Sequence, residues 1–472
     1  TLDGTLFPYT TLFRSRAASN GALGAGTTAS VAAGTRLELD GGVTISGKIV
    51  TISGDGGNVY GALQSSSNHV NTWAGDVVIG SSSNTRIGAA AGTLAVTGVI
   101  SDGGSNYPLI VRNNTGAVTV LSGASTYGGD TNVYNGLLRI DGADNRLPTG
   151  TVLRLGINNL VWGQLDLNGY NQTVAGLSVN GSDNLASQQV MNAKAASTSL
   201  LTVSNSGNYT FAGRLTESNG GVLALTKTGA GTLTLSGDSD YSGTTTVADG
   251  VLVVGHANAL GTVVGETVVT SAVPKVQVTG GVTVGENLRT PWLESLSSGN
   301  TWSGSVTAIN GTQTTLQSNS GLFTLSGTVS GQAGDGAHTI NLQGNGNGLI
   351  SGPIPSAFAL FKKGSGTWTL SGANAYAGTT TVQGGVLVVQ SASALGTTAG
   401  GSTVNDTARL ELSGGITVSG EALTITGQGG NFAGALQSSS GDNAWDGAIT
   451  LGNNNTRRSE EHTSELQSHH PI

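Results

Sequence analysis

The residues able to do chemistry in this 472-residue chain are few: six histidines, 27 acidic and 19 basic side chains, and no cysteine. The densest cluster sets His462, His469 and His470 beside Glu460 and Glu461, a donor set that suits zinc. Gly42–Lys48 follows a phosphate-binding loop up to its lysine. The hydroxyl needed next is Ile49, so the segment reads as strand and corner. Gly237-Asp238-Ser239 echoes the nucleophile turn of a serine protease, but Asp240 stands where a glycine is needed, and a second copy of the segment has Ala373 and Asn374 instead. Asp-rich corners at Gly54–Asn58 and Gly334–Gly336 offer oxygen ligands for calcium but lack the nonapeptide period of calcium-binding solenoids. A polysaccharide lyase or hydrolase would need a unique acidic or basic cluster on one outer face. Asp238, Asp240 and Asp249 are no such cluster, because Ala373, Ala375 and Gly384 replace them in the second copy. Trp73, Trp302 and Trp445 each precede x-Gly-x-Val/Ile, a recurring aromatic that offers stacking contact to a glycan.

The zinc-like cluster dissolves once the termini are read as nucleotides. Residues 5–15, TLFPYTTLFRS, and 458–468, RSEEHTSELQS, are translations of short-read sequencing adapters. Residues 1–15 and 458–472 are therefore set aside from fold reasoning. That leaves 16–457, expected to be an internal piece of a longer gene. Its remaining histidines, His69, His256 and His338, are scattered.

Composition narrows the class. There are 77 glycines, only 10% of residues are charged, and the net charge is −8. Zero cysteine excludes disulfide scaffolds and thiolate metal sites. The acidic balance without a Lys/Arg cluster argues against nucleic acid. Gly without a three-residue period, and 8 prolines, exclude collagen. No cofactor and no metal are expected.

The chain is built from repeats. KTGAGTLTLSGDSDYSGTTTVADGVLVVGHANALG (227–261) aligns without gaps to KKGSGTWTLSGANAYAGTTTVQGGVLVVQSASALG (362–396), and a weaker copy lies near 116–150. Tyr127, Tyr241 and Tyr376 share one repeat position. Gly129, Gly243 and Gly378 share a second, and Gly136, Gly250 and Gly385 a third. A second repeat type lies near 36–86, 276–330 and 409–457. It shows in RLELDGGVTISG (36–47) against RLELSGGITVSG (409–420).

Within each repeat the hydrophobic period is two, which is that of a strand with one apolar face. Leu233 and Leu235 point inward, as do Trp368 and Leu370 at the matching positions. Arg139 must face water, which sets Leu138 and Ile140 inward and, by alignment, Leu252, Val254, Leu387 and Val389. The same alternation puts Glu38, Asp166 and Glu411 outward toward solvent. One such repeat buries too little apolar surface to offset its chain entropy, so copies must stack. Unequal spacing between copies disfavours a propeller. The predicted fold is all-β, a right-handed parallel β-helix (β-solenoid). Some 20 coils of ~22 residues, at ~4.8 Å each, would make a rod on the order of 95 Å long. A side chain repeated in every copy serves the stack, so the three tyrosines read as packing residues.

GAGTLTLSGDSDYSGTTTVADGVLVV resembles the passenger-associated β-strand repeat of bacterial autotransporters, and LDLNGYNQTVAGLSV with LTVSNSGNYTFAG resembles the family's longer arrangement. The resemblance covers most of 16–457. It implies a secreted or surface-displayed β-helical passenger of a Gram-negative bacterium, with repeats that assist passage across the membrane and folding outside the cell. It also implies an outer-membrane β-barrel translocator beyond this chain, and a host-cell or neighbouring-cell glycan or protein as partner. The expectation is a non-enzymatic stalk that displays or adheres. A polysaccharide-active β-helix enzyme and a glycan-binding module, the latter using Trp73, Trp302 and Trp445, stand as alternatives.

Overall fold

Alternating apolar residues punctuated by glycine corners produce stacked parallel strands in a computed structural model. It describes residues 14–57, 60–81, 84–157, 162–181, 185–273, 275–309, 313–332, 338–355, 358–430, 434–452 and 458–460. The histidines of the zinc-like cluster and the corner Gly334–Gly336 lie outside them. No α-helix occurs among the described residues, and Leu185–Ser187 is a 3-10 turn.

The chain divides into two units, Thr1–Thr267 and Val268–Ile472. In the first, one sheet climbs through Arg14–Ala17, Arg36–Leu39, Leu63–Trp73, Arg86–Val96, Leu109–Arg112 and Thr131–Ile140 to Arg214–Glu217. A second side of these coils is the sheet of Thr28–Val31, Ile49–Ile52, Val77–Ile79 and Ile100–Ser101. Later coils pair Gln172–Val174, Thr198–Ser204, Val222–Thr228 and Thr245–Val247 in the same way.

The second unit repeats this arrangement. One side stacks Lys275–Val278, Trp292–Ser295, Gln313–Ser318, His338–Gln343, Phe358–Lys362, Thr380–Val382, Ser402–Val404, Leu423–Ile425 and Ile449–Leu451. Another stacks Asn300–Trp302, Leu322–Leu325, Asn347–Ile350, Thr367–Leu370, Val386–Val389, Arg409–Ser413 and Leu436–Ser440. The pairings in this unit are parallel, as a solenoid requires, because each strand meets its successor one coil later.

Parallel register turns sequence repeats into side-chain ladders. One inward ladder runs Trp302, Leu325, Ile350, Leu370, Val389, Leu412. Its neighbour runs Phe323, Gly348, Trp368, Leu387, Leu410, Leu436. Gly348 in this second ladder is a packing device: a Cβ there would stand 2.3 Å from the Trp368 ring. The missing side chain at Gly348 thus gives the large ring of Trp368 its space in the column.

The outward acids differ from expectation. Glu38, Asp166 and Glu411 do point away from the core, yet Glu38 and Asp166 are buried, not solvated. Coils ~4.8 Å apart let neighbouring side chains roof each other. Arg36 Nε donates to Glu38 at 2.7 Å, as Gln64 Nε2 does at 3.0 Å. Arg139 Nε donates to Asp166 at 2.9 Å. Arg409 Nε lies 2.6 Å from the half-buried Glu411.

Candidate functional site

The repeat positions converge on two recurring clusters. In the first, Val222–Thr228 carries Leu223, Leu225 and Lys227 on its inward face, so the lysine enters the core at the strand's end. Its ammonium donates to three backbone carbonyls, those of Thr228 (3.0 Å), Gly229 (2.6 Å) and Asp249 (3.1 Å). Lys362 does the same with Lys363 (2.8 Å), Gly364 (3.0 Å) and Gly384 (2.9 Å). Three donors meet three acceptors, which satisfies corner carbonyls that would otherwise be buried unpaired. Burial pushes both ammonium groups down to about 8. In the copy around Tyr127, Asn113 takes this place, donating to Leu137 O at 2.8 Å and accepting from Ala89 N at 2.8 Å.

The glycines at 136, 250 and 385 have φ of +75°, +70° and +63°. This left-handed corner, which suits glycine, also leaves room for the cap. A Cβ on Gly250 or Gly385 would lie 2.9 or 2.8 Å from the lysine Nζ, and one on Gly136 would lie 2.6 Å from Asn113 Cβ.

The tyrosines complete this cluster. Tyr127, Tyr241 and Tyr376 are at most 1% exposed, and each hydroxyl bonds the threonine four residues on, at 2.5, 2.6 and 2.7 Å. Loss of water around the ring pushes the Tyr127 and Tyr376 phenols up, outside any physiological titration. Gly243 and Gly378, between Tyr and Thr, meet the backbone of the previous coil. Leu233, Leu235, Leu252, Val254, Trp368, Leu370, Leu387 and Val389 line the core beside them, none more than 2% exposed.

The second cluster is Asn-x-Trp-x-Gly. Asn71, Asn300 and Asn443 each accept from a backbone N–H one coil away, at Val43, Val282 and Ile416. Two residues on, Trp73 and Trp302 are fully buried and Trp445 is half-buried. Trp302 Nε1 donates to Glu286 O at 2.9 Å, and Trp445 Nε1 to Glu421 O at 3.1 Å. The same two carbonyls occupy the space where Gly304 and Gly447 have no Cβ, at 2.0 and 1.8 Å. The glycan contact expected of Trp73 and Trp302 is therefore corrected: both rings fill the core, and no ligand reaches them.

The remaining chemical candidates sit apart. Asp238 and His256 approach to 3.9 Å, but Ser239 Oγ accepts from Leu215 N at 3.1 Å on the other side of the turn. Lys48 is buried and bonds Gly24 O and Gly26 O, a corner cap. Its repeat counterpart Glu421 accepts from Ser402 Oγ at 2.9 Å, and burial pushes its carboxyl up. Asp55 accepts from Gly57 N within its own turn. Among the described residues, no group of three or more His, Asp or Glu is placed to hold a metal.

Sequence reading singled out the glycines, tyrosines and tryptophans but passed over Lys227, Lys362 and the three asparagines. The alternation Leu223, Leu225, Lys227 already points that lysine inward, and each Asn stands two residues before its Trp.

Comparison with known proteins agrees with this geometry. The passenger-associated-transport-repeat family matches at residues 115–140, 225–254 and 360–389, the segments that carry the Tyr–Thr clusters. An adhesin autotransporter, BmaC of Brucella suis biovar 1 (strain 1330), is 28% identical over 382 residues, covering 76% of this chain. The match covers only 9% of that relative's length. No solved structure matches the chain significantly. The chain thus carries three passenger-associated-transport repeats, folded as coils of a parallel β-solenoid, and is similar over most of its length to part of an adhesin autotransporter.

Proposed function

We propose that this chain is a non-enzymatic stalk of a surface-exposed passenger, secreted by a Gram-negative bacterium, that supports export and presents or itself forms an adhesive surface. The observation that carries this reading is where the recurrent chemistry resides. The side chains repeated from copy to copy, Tyr241 and Tyr376, Lys227 and Lys362, Trp73 and Trp302, are buried and spent on the stack. Coils that template on the coil before them add locally, without distant contacts forming first. Such a chain folds progressively as it emerges from a translocator, which makes each new coil a barrier to backsliding. The adhesin relative supports a host-surface molecule as partner, and an outer-membrane barrel as the exit route.

The test is display. Residues 16–457, fused between a secretion signal and an outer-membrane barrel in a non-adherent Gram-negative host, should become sensitive to external protease. The displaying cells should bind epithelial cells at least several-fold more than cells displaying the barrel alone. Export without adhesion would remove the adhesive role, and a failure of export would remove the role in secretion.

A further inference from the structure

The buried polar column that starts at Tyr376 ends on an acid. Thr380, Ser402 and Leu423 are register partners on three successive coils, and all three are buried. Tyr376 Oη bonds Thr380 Oγ1 at 2.7 Å at one end of this column. At the other, Ser402 Oγ donates to Glu421 Oε1 at 2.9 Å, in the corner that leads into Leu423–Ile425. Glu421 is only 3% exposed. The matching column of the first unit is neutral throughout: Tyr127 bonds Thr131 (2.5 Å), Thr131 bonds Thr151 (2.8 Å), and Thr151 donates to Gly129 O (3.0 Å).

The corner of Glu421 holds an ionisable side chain in the other copies of its repeat as well. The carbonyls of Lys48, Glu286 and Glu421 fill the same space, beside Gly75, Gly304 and Gly447. Lys48 places its ammonium on Gly24 O and Gly26 O, so that charge is compensated by backbone. Glu421 has no such compensation. Among the described residues no basic side chain pairs with its carboxyl. The neighbours at this corner are Thr398, packed against Gly420, and Trp445, which donates to the Glu421 carbonyl. The titratable group that faces it is the Tyr376 phenol, which burial keeps protonated. Asp446, beside Gly447, is exposed.

A buried carboxylate without a cation is costly, whereas the neutral acid keeps its hydrogen bond to Ser402 at little cost. Burial therefore raises the folded carboxyl above its ordinary range, and the Ser402 hydroxyl only partly opposes this. The folded chain then holds this proton more tightly than the unfolded chain does. Stability from this group is complete at low pH and is lost as pH rises through the raised value.

We propose that Glu421 is an acid-operated latch: with its carboxyl protonated the coils that carry Ser402–Val404 and Leu423–Ile425 close fully, and with the proton lost to water they loosen. This gives the second unit a segment that tightens in acidic surroundings. The proposal goes beyond the stalk reading and holds whether or not the chain adheres.

Hydrogen exchange of the full chain from pH 4.5 to 8, corrected for the intrinsic exchange rate, tests it. Protection at residues 402–404 and 423–425 is expected to fall at least fivefold between pH 5.0 and 7.5, with less than a twofold change at 131–133 in the neutral column. Glu421→Gln should hold at pH 7.5 the protection that the unaltered chain has at pH 5.0. Ser402→Ala, which removes the donor that favours the carboxylate, should move the midpoint of the loss to higher pH. Protection that does not change with pH, an equal change at 131–133, or the same pH dependence in Glu421→Gln overturns the proposal. If Glu421→Gln does not fold, an unmoved midpoint in Ser402→Ala overturns it instead.

Discussion

Trp302→Ala is expected to destabilise the second unit by about 3–5 kcal/mol, the range for deleting a large buried aromatic. The ring is fully buried, stacks in register on Leu325, and holds Glu286 O through its indole nitrogen. Its removal leaves a cavity in the inward ladder and a carbonyl without its donor. Neighbouring coils depend on that ladder, so the loss should spread along the unit. Urea unfolding, with hydrogen exchange at residues 284–325 as the local readout, measures it. Trp292→Ala, on the outer face of the next strand side, should cost about 1 kcal/mol or less. Equal effects of the two substitutions would mean that Trp302 does not belong to the core.

Gly378→Ala should cost about 3 kcal/mol, the upper end for overpacking. No left-handed φ is involved at this position. The added methyl would instead lie 1.9 Å from Phe358 O, a backbone atom that moves only if the coil beneath moves with it. The same shift would strain the 2.7 Å contact of Tyr376 with Thr380. Gly150→Ala is the contrast, because nothing lies within 4 Å of its Cβ position. It should change stability by less than about 0.5 kcal/mol. Thermal unfolding of both variants decides it, and a silent Gly378→Ala would mean that the coils do not approach as closely as described.

The alternation of Leu233 with Thr234 and Leu235 shows which face is apolar, and the aligned Tyr241 and Tyr376 show that the pattern repeats. From those two facts a stack of parallel coils follows. What alternation does not reveal is how far a neighbouring coil covers an outward side chain. Asp166 is outward by period and still only 1% exposed, because Arg139 of the previous coil lies against it. Tryptophan recurrence has the same ambiguity. A ring repeated for packing and a ring repeated for a ligand give one pattern, and only the Asn before Trp302 and the Gly after it mark the ring as interior. Trp292 stands outside any recurrence, so its half-buried place required coordinates.

The stacking itself is most directly tested with paired cysteines, since the chain has none of its own. Thr403 and Thr424 are register partners on adjacent coils, and Thr381 stands one coil further from Thr424. Partners on adjacent coils lie ~4.8 Å apart, within disulfide reach, whereas two coils span ~9.6 Å and lie beyond it. Mild oxidation followed by mass spectrometry should find a disulfide in the Thr403→Cys/Thr424→Cys variant and free thiols in Thr381→Cys/Thr424→Cys. Closure of the second pair, or failure of the first in a folded chain, would contradict a solenoid whose coils stack in this register.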